Sequence, residues 1–143
     1  MRRLTFAVLL CATMGLASVA AAATIEGTSG DDTLVGTQGR DTIHAKAGAD
    51  TVNALGRADT VYGGRGKDRV SGGSGGDTLY GNRSADRLIG GPGDDTLQGG
   101  RGNDVINASD GSGGDTVMCG DGSDTVNADE GDVTASDCEN VIG

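Results

Sequence analysis

Aspartate recurs every nine residues through the middle of this chain: Asp32, Asp41, Asp50, Asp59, Asp68, Asp77, Asp86, Asp95 and Asp104 follow one another without a slip. Two positions after each stands an aliphatic residue: Leu34, Ile43, Val52, Val61, Val70, Leu79, Leu88, Leu97 and Ile106. Two positions before most stands a glycine (Gly30, Gly39, Gly48, Gly66, Gly75, Gly93, Gly102), with Arg57 and Ser84 as the exceptions. A short fixed period describes an array whose units pack on their neighbours, not a chain folded around one closed core.

Each unit divides into two halves. The Gly-rich half can take positive φ and turn tightly. The other half, such as Asp-Thr-Val-Tyr at residues 59–62 or Asp-Thr-Leu-Tyr at 77–80, has the β-branched and aromatic content of a short strand. Side chains alternate along a strand, so the Asp and the aliphatic residue two later face inward, and the Thr or Arg between them faces outward. One turn plus one strand is half a coil. Two units therefore close a coil of 18 residues, and coils stack as parallel strands about 4.8 Å apart. The expected fold is all-β, a parallel β-roll. Composition agrees that no ordinary core is available: 28 glycines, 2 % aromatic residues and no Trp leave little apolar surface to offset the ordering entropy. Regular stacking, a metal or disulfides must take its place.

Stacking sets aspartates directly over one another, in the pairs 32/50, 41/59, 50/68, 59/77, 68/86, 77/95 and 86/104. Unpaired, such carboxylates repel and resist burial. A hard dication between them, with turn carbonyls as further oxygen ligands, removes the conflict. Calcium, Ca2+, is the cofactor this pattern calls for. The net charge of −10 has the same sense. Loss of Arg2 and Arg3 with a cleaved leader leaves 9 basic against 21 acidic residues, or −12. That balance excludes nucleic acid, which needs a basic footprint, and an anionic membrane surface for the same reason.

The best-formed units, Gly63-Gly64-Arg65-Gly66-Lys67-Asp68-Arg69-Val70-Ser71 and Gly90-Gly91-Pro92-Gly93-Asp94-Asp95-Thr96-Leu97-Gln98, resemble the RTX (hemolysin-type calcium-binding) nonapeptide G-G-x-G-x-D-x-U-x, where U is a large aliphatic residue. The resemblance runs in register over residues 27–107 and more loosely to the C-terminus. It implies a right-handed roll with calcium in both rows of turns, disordered without calcium. It also implies that the Asp of each unit, extended to Asp115 and Asp124, and the turn carbonyls are the metal ligands. The units beginning at Ala45 and Ala54 lack the leading glycines, and Gly81-Asn82-Arg83-Ser84 is similarly eroded, which puts those sites in doubt. Residues 110–114 shift the register by two, and Cys119-Gly120-Asp121-Gly122-Ser123-Asp124-Thr125-Val126-Asn127 restores it. The chain resembles the small stand-alone repeat proteins that bacteria export, whose ends read Cys-Gly-x-Gly-x-Asp…Asp-Cys-Glu. The activity of the large toxins and proteases, which resides in catalytic or pore-forming domains outside their repeats, is therefore not expected to carry over.

The two ends read differently from the array. Residues 1–23 have a basic start at Arg2-Arg3, an apolar run from Leu4 and small residues at 20–23, the layout of an export signal cleaved after Ala23 or one residue earlier. The expected order is thus signal peptide 1–23, repeat array 24–107, and irregular repeats with a short C-terminal cap at 108–143, the product being secreted and extracellular. Cys11 leaves with the signal, and Cys119 and Cys138 remain. In an exported chain an even pair one coil plus one residue apart reads as a disulfide staple, the other readings being two free thiols or a metal pair. Val133, Val141 and Ile142 are expected to cover the open end of the last coil.

Enzymatic chemistry finds no distinguished residues. His44 is the only histidine and falls at an outward, solvated position. The aspartates are evenly spaced equivalents, so no pair stands out as an acid/base couple. The function expected is a calcium-binding protein, not an enzyme. A second reading is a calcium-stiffened structural or adhesive protein whose partner is an extracellular polymer or cell surface, met by Thr42, Thr51, Thr60, Thr78 and Thr96, with Arg69 and Arg87 interrupting the row. A secreted toxin or hydrolase is the third. Oligomeric state is not legible.

Overall fold

The computed structural model describes residues 21–111 and 114–143, so nearly all of the expected leader (1–23) lies outside the described residues. Fourteen strands alternate between two parallel seven-stranded sheets, and no helix occurs among the described residues. One sheet holds β1 (Thr24–Glu26), β3 (Thr42–His44), β5 (Thr60–Arg65), β7 (Thr78–Arg83), β9 (Thr96–Arg101), β11 (Thr116–Asp121) and β13 (Val133–Thr134). The other holds β2 (Thr33–Val35), β4 (Thr51–Asn53), β6 (Arg69–Ser71), β8 (Arg87–Ile89), β10 (Val105–Asn107), β12 (Thr125–Asn127) and β14 (Asn140–Ile142). The chain is a parallel β-solenoid of about six turns, with 18 residues per turn through Asp104, as the period requires.

Register follows the repeat residue for residue. Thr60 pairs with Thr78, Val61 with Leu79 and Tyr62 with Tyr80. Inward positions are filled by one aliphatic side chain per unit, from Ile25 and Leu34 through Leu97 and Ile106 to Val117 and Val126, and every one is buried. The first residue of each unit also points inward and is kept small: Ala45, Ala54, Ala108, Cys119 and Ala128 stand where other units have glycine, and all five are buried. Replacing the leading glycine at Ala45 and Ala54 therefore leaves the coil closed.

Residues 110–114 insert two residues without breaking the stack. Val105 pairs with Thr125 and Thr96 with Thr116, each 20 residues on, so the extra length is confined to one turn. Val133, Val141 and Ile142 behave differently from the expectation: they are 62 %, 47 % and 61 % exposed. β14 pairs through its backbone with β12 and is the edge strand of its sheet, so its side chains are not enclosed between coils. His44 is outward as expected, yet it is half-buried: its ring stacks on Tyr62 at 4.7 Å, and Tyr62 stacks on Tyr80 at 4.9 Å.

Candidate metal sites in the turns

The eleven aspartates named from the spacing, Asp32 to Asp104 with Asp115 and Asp124, are all buried, none more than 4 % exposed. They form two ladders. In each, the backbone N–H of one Asp donates to Oδ1 of the Asp one coil on: Asp32 to Asp50 at 2.7 Å, Asp50 to Asp68 at 2.9 Å, Asp68 to Asp86 at 2.8 Å, and so on through Asp104 to Asp124 at 2.7 Å. The last link of each ladder, Asp95 to Asp115 and Asp104 to Asp124, spans the two-residue insertion. The stacked pairing expected from the period thus extends beyond Asp104.

What the other carboxylate oxygen does separates the sites. From Asp50 to Asp124, Oδ2 of nine aspartates is buried with no hydrogen-bond partner. This oxygen lies over the first residue of its own unit: a Cβ added at Gly63 would stand 2.7 Å from Asp68 Oδ2, and one at Gly81 2.6 Å from Asp86 Oδ2. An orphaned buried anion of this kind costs several kcal/mol, roughly, unless neutralised or paired. Burial pushes the carboxyls up, to about 7 at Asp86 and Asp95 and to about 6 at Asp59, Asp68 and Asp115, with the neighbouring carboxylates adding to the effect. Asp50, Asp77 and Asp104 are raised by the same burial.

Asp32 and Asp41 are exceptions. Thr28 donates its N–H and its hydroxyl to Asp32 Oδ2 at 2.5 and 3.0 Å, and Thr37 does the same for Asp41. In these units Thr replaces the second glycine, and its hydroxyl occupies the position where later turns present a bare carboxylate. The sequence holds the signal, since Thr28 and Thr37 are the only departures of their units from the G-G-x-G-x-D pattern.

The turn backbone would have to supply any further oxygens. At Gly66, φ is +124°, and an added Cβ would strike the carbonyl of Gly48 one coil back, so glycine lets this turn pack closely on its neighbour. The eroded units keep this path: Lys46, Leu55, Arg57, Asn82 and Ser84 all take φ between 70° and 85°. Each non-Gly residue there costs about 1–2 kcal/mol, but carbonyl ligands belong to the backbone and survive the change of side chain. Stacked carboxylate and carbonyl oxygens, with no nitrogen or sulfur donor, form a hard donor set of the kind calcium takes. The residues present therefore fit the metal.

Residues outside the nine-residue pattern complete the ladders. Ala23 N–H donates to Asp41 Oδ1 at 2.8 Å, starting one row. Asp132 accepts from Asp115 N–H and Glu139 accepts from Asp124 N–H, ending both rows. Irregular spacing hid these two carboxylates from the period. Beside them Cys119 and Cys138 form a disulfide, with Cα atoms 5.1 Å apart.

A parallel β-roll with a carboxylate at every turn defines a class of metal-loaded solenoids. A scan against family models agrees, matching the RTX calcium-binding nonapeptide repeat in four copies at residues 26–56, 46–79, 80–113 and 109–132. The chain belongs to that family, whose repeats bind calcium. Comparison with curated proteins and with solved structures gave no match.

Proposed function

We propose that this chain is an exported, non-enzymatic calcium-binding protein that folds when it meets calcium outside the cell. The observation that carries the reading is the row of buried Oδ2 atoms without a partner, from Asp50 to Asp124. Calcium would be held by Asp50, Asp59, Asp68, Asp77, Asp86, Asp95, Asp104, Asp115 and Asp124 with turn carbonyls of the adjacent coil. The turns of Asp32 and Asp41, closed by threonine, serve as a metal-free start to the stack. Export is supported by the leader-like residues 1–23 and by the Cys119–Cys138 disulfide, which an oxidising compartment favours. Cleavage after Ala22 would retain the Ala23 N–H that Asp41 accepts. A non-catalytic role is supported by the equivalence of the aspartates and by the stacking of His44 on Tyr62.

Affinity per site is expected at about 10⁻⁴–10⁻³ M, the range of extracellular modules, and uptake is cooperative because each ion bridges coils. Isothermal titration of the exported chain, with circular dichroism before and after chelation, tests this. Saturable uptake of several ions coupled to a gain of strand signal is the expected result. A strand signal indifferent to chelation, or no uptake, refutes it.

A further inference from the structure

The sheet of β5, β7 and β9 carries a second built feature on its outer face, unrelated to the turn carboxylates. Arg65, Arg83 and Arg101 stand in direct register, one per coil, and all are exposed. Among the described residues neither Arg65 nor Arg83 has a carboxylate within ion-pair distance, and Arg101 meets only exposed Asp121 at 3.7 Å. Guanidinium groups stacked at the strand spacing of about 4.8 Å repel one another. In a chain of net charge −10, three such rungs are a concentrated exception that costs stability until an anion covers it.

A parallel row faces them. Tyr62, Tyr80 and Gln98 succeed one another in register, and between this row and the arginines the strands carry Gly64, Asn82 and Gly100. The small residues leave a groove of about 410 Å³ across β7, β9 and β11, walled by Tyr80 and Gln98 on one side and Arg83 and Arg101 on the other, with the carboxylate of Asp121 next in register after Arg101 and ending the basic row. The threonine row lies on the same face, and it is unbroken: Thr24, Thr42, Thr60, Thr78, Thr96 and Thr116 are in register. Thr51 and the interrupting Arg69 and Arg87, read earlier as part of one row, lie on the opposite sheet.

The geometry points to an acidic polysaccharide lying along this groove, its anionic groups on the arginine rungs and its hydroxyls on the tyrosine, glutamine and asparagine side. Three features select that occupant. Tyr62 is covered on both faces by His44 and Tyr80, and Gln98 follows Tyr80 in register, so the row offers no run of open ring faces on which successive nucleic-acid bases could stack. Each strand is already paired on both edges by its neighbours, so a peptide cannot add as a strand. What remains is a regular row of charges beside a regular row of neutral hydrogen-bonding groups, which suits a polymer bearing both carboxylates and hydroxyls.

The test uses the full exported chain at a fixed free calcium concentration, with circular dichroism establishing that the roll is folded. That control separates failure of this site from failure of calcium-driven folding. Hexagalacturonate, a neutral hexasaccharide, polyglutamate and a single-stranded oligonucleotide are titrated in turn. The expected result is binding of hexagalacturonate that weakens with salt and falls at least tenfold in Arg83→Gln/Arg101→Gln. Arg69→Gln/Arg87→Gln, the same charge change on the opposite sheet, should stay within twofold of the parent. No binding of hexagalacturonate by the folded roll overturns the assignment. Equal loss in both double variants, or equally tight binding of polyglutamate or the oligonucleotide, overturns it as well, by reducing the effect to charge alone.

Discussion

Removing calcium at neutral pH should unfold the roll, and acidifying the metal-free chain should bring it back. The inward carboxyls have folded-state values raised above the unfolded value of 3.8, to about 6 for Asp59, Asp68 and Asp115 and to about 7 for Asp86 and Asp95. One unit corresponds to about 1.4 kcal/mol, so each of these groups, once ionised in a metal-free roll, costs about 3–4 kcal/mol. The direction follows from the raised values. Below about pH 4 the groups are neutral in both states and cost nothing, and the penalty grows as pH climbs through 6 and 7. Even halved for water entering the turns, five such penalties match the whole net stability of a domain, about 5–15 kcal/mol.

Calcium reverses the dependence, because the ionised carboxylate is then a ligand and protons compete with the metal. Far-ultraviolet circular dichroism in chelator, stepped from pH 8 to pH 4.5, reads the first effect. The near-ultraviolet signal of the stacked Tyr62 and Tyr80 reports the same coils. Sedimentation checks that the chain stays monodisperse near its isoelectric point of about 4.2. Strand signal should be absent in chelator at pH 8, return below about pH 5, and be present at pH 8 with calcium. A metal-free signal at pH 8 equal to that with calcium, or no recovery on acidification, would refute the reasoning.

Three substitutions extend the argument. Thr37→Gly converts its unit to the full G-G-x-G-x-D pattern and removes the hydroxyl from Asp41, so titration calorimetry should count one more calcium ion per chain. Arg57→Gly relieves a residue held at φ 70° and should raise the calcium-bound melting midpoint, the strain being about 1–2 kcal/mol; Gly66→Ala, whose Cβ would strike the Gly48 carbonyl, should lower it and weaken calcium uptake. Cys119→Ser/Cys138→Ser opens a loop closed across 19 residues and should cost about 3 kcal/mol. Hydrogen exchange should localise that loss to β11, β13 and the last coil, leaving β5 to β9 protected.

Most of the architecture was legible before any coordinates, because a nine-residue period with alternating strand positions permits only one way to bury both Asp50 and Val52. The spacing alone determined the coil length, the inward residues, the register and the buried carboxylate at each turn. It also marked the two-residue slip before Asp115. Tertiary structure decided whatever depends on which two rows become neighbours. Thr28 and Thr37 were visible as departures from the pattern, but only the closed turn shows that they satisfy Asp32 and Asp41, and only the stacked coils show that the later carboxylates keep a buried oxygen without a partner. Likewise Asp132 and Glu139 fall outside the period, yet their carboxylates end the ladders because the backbone brings them beneath the last N–H groups. The separation of Thr60 from Arg69 onto opposite faces has the same origin. Sequence order interleaves the two sheets unit by unit, and the fold sorts them, which turns scattered arginines into a row beside a row of tyrosines.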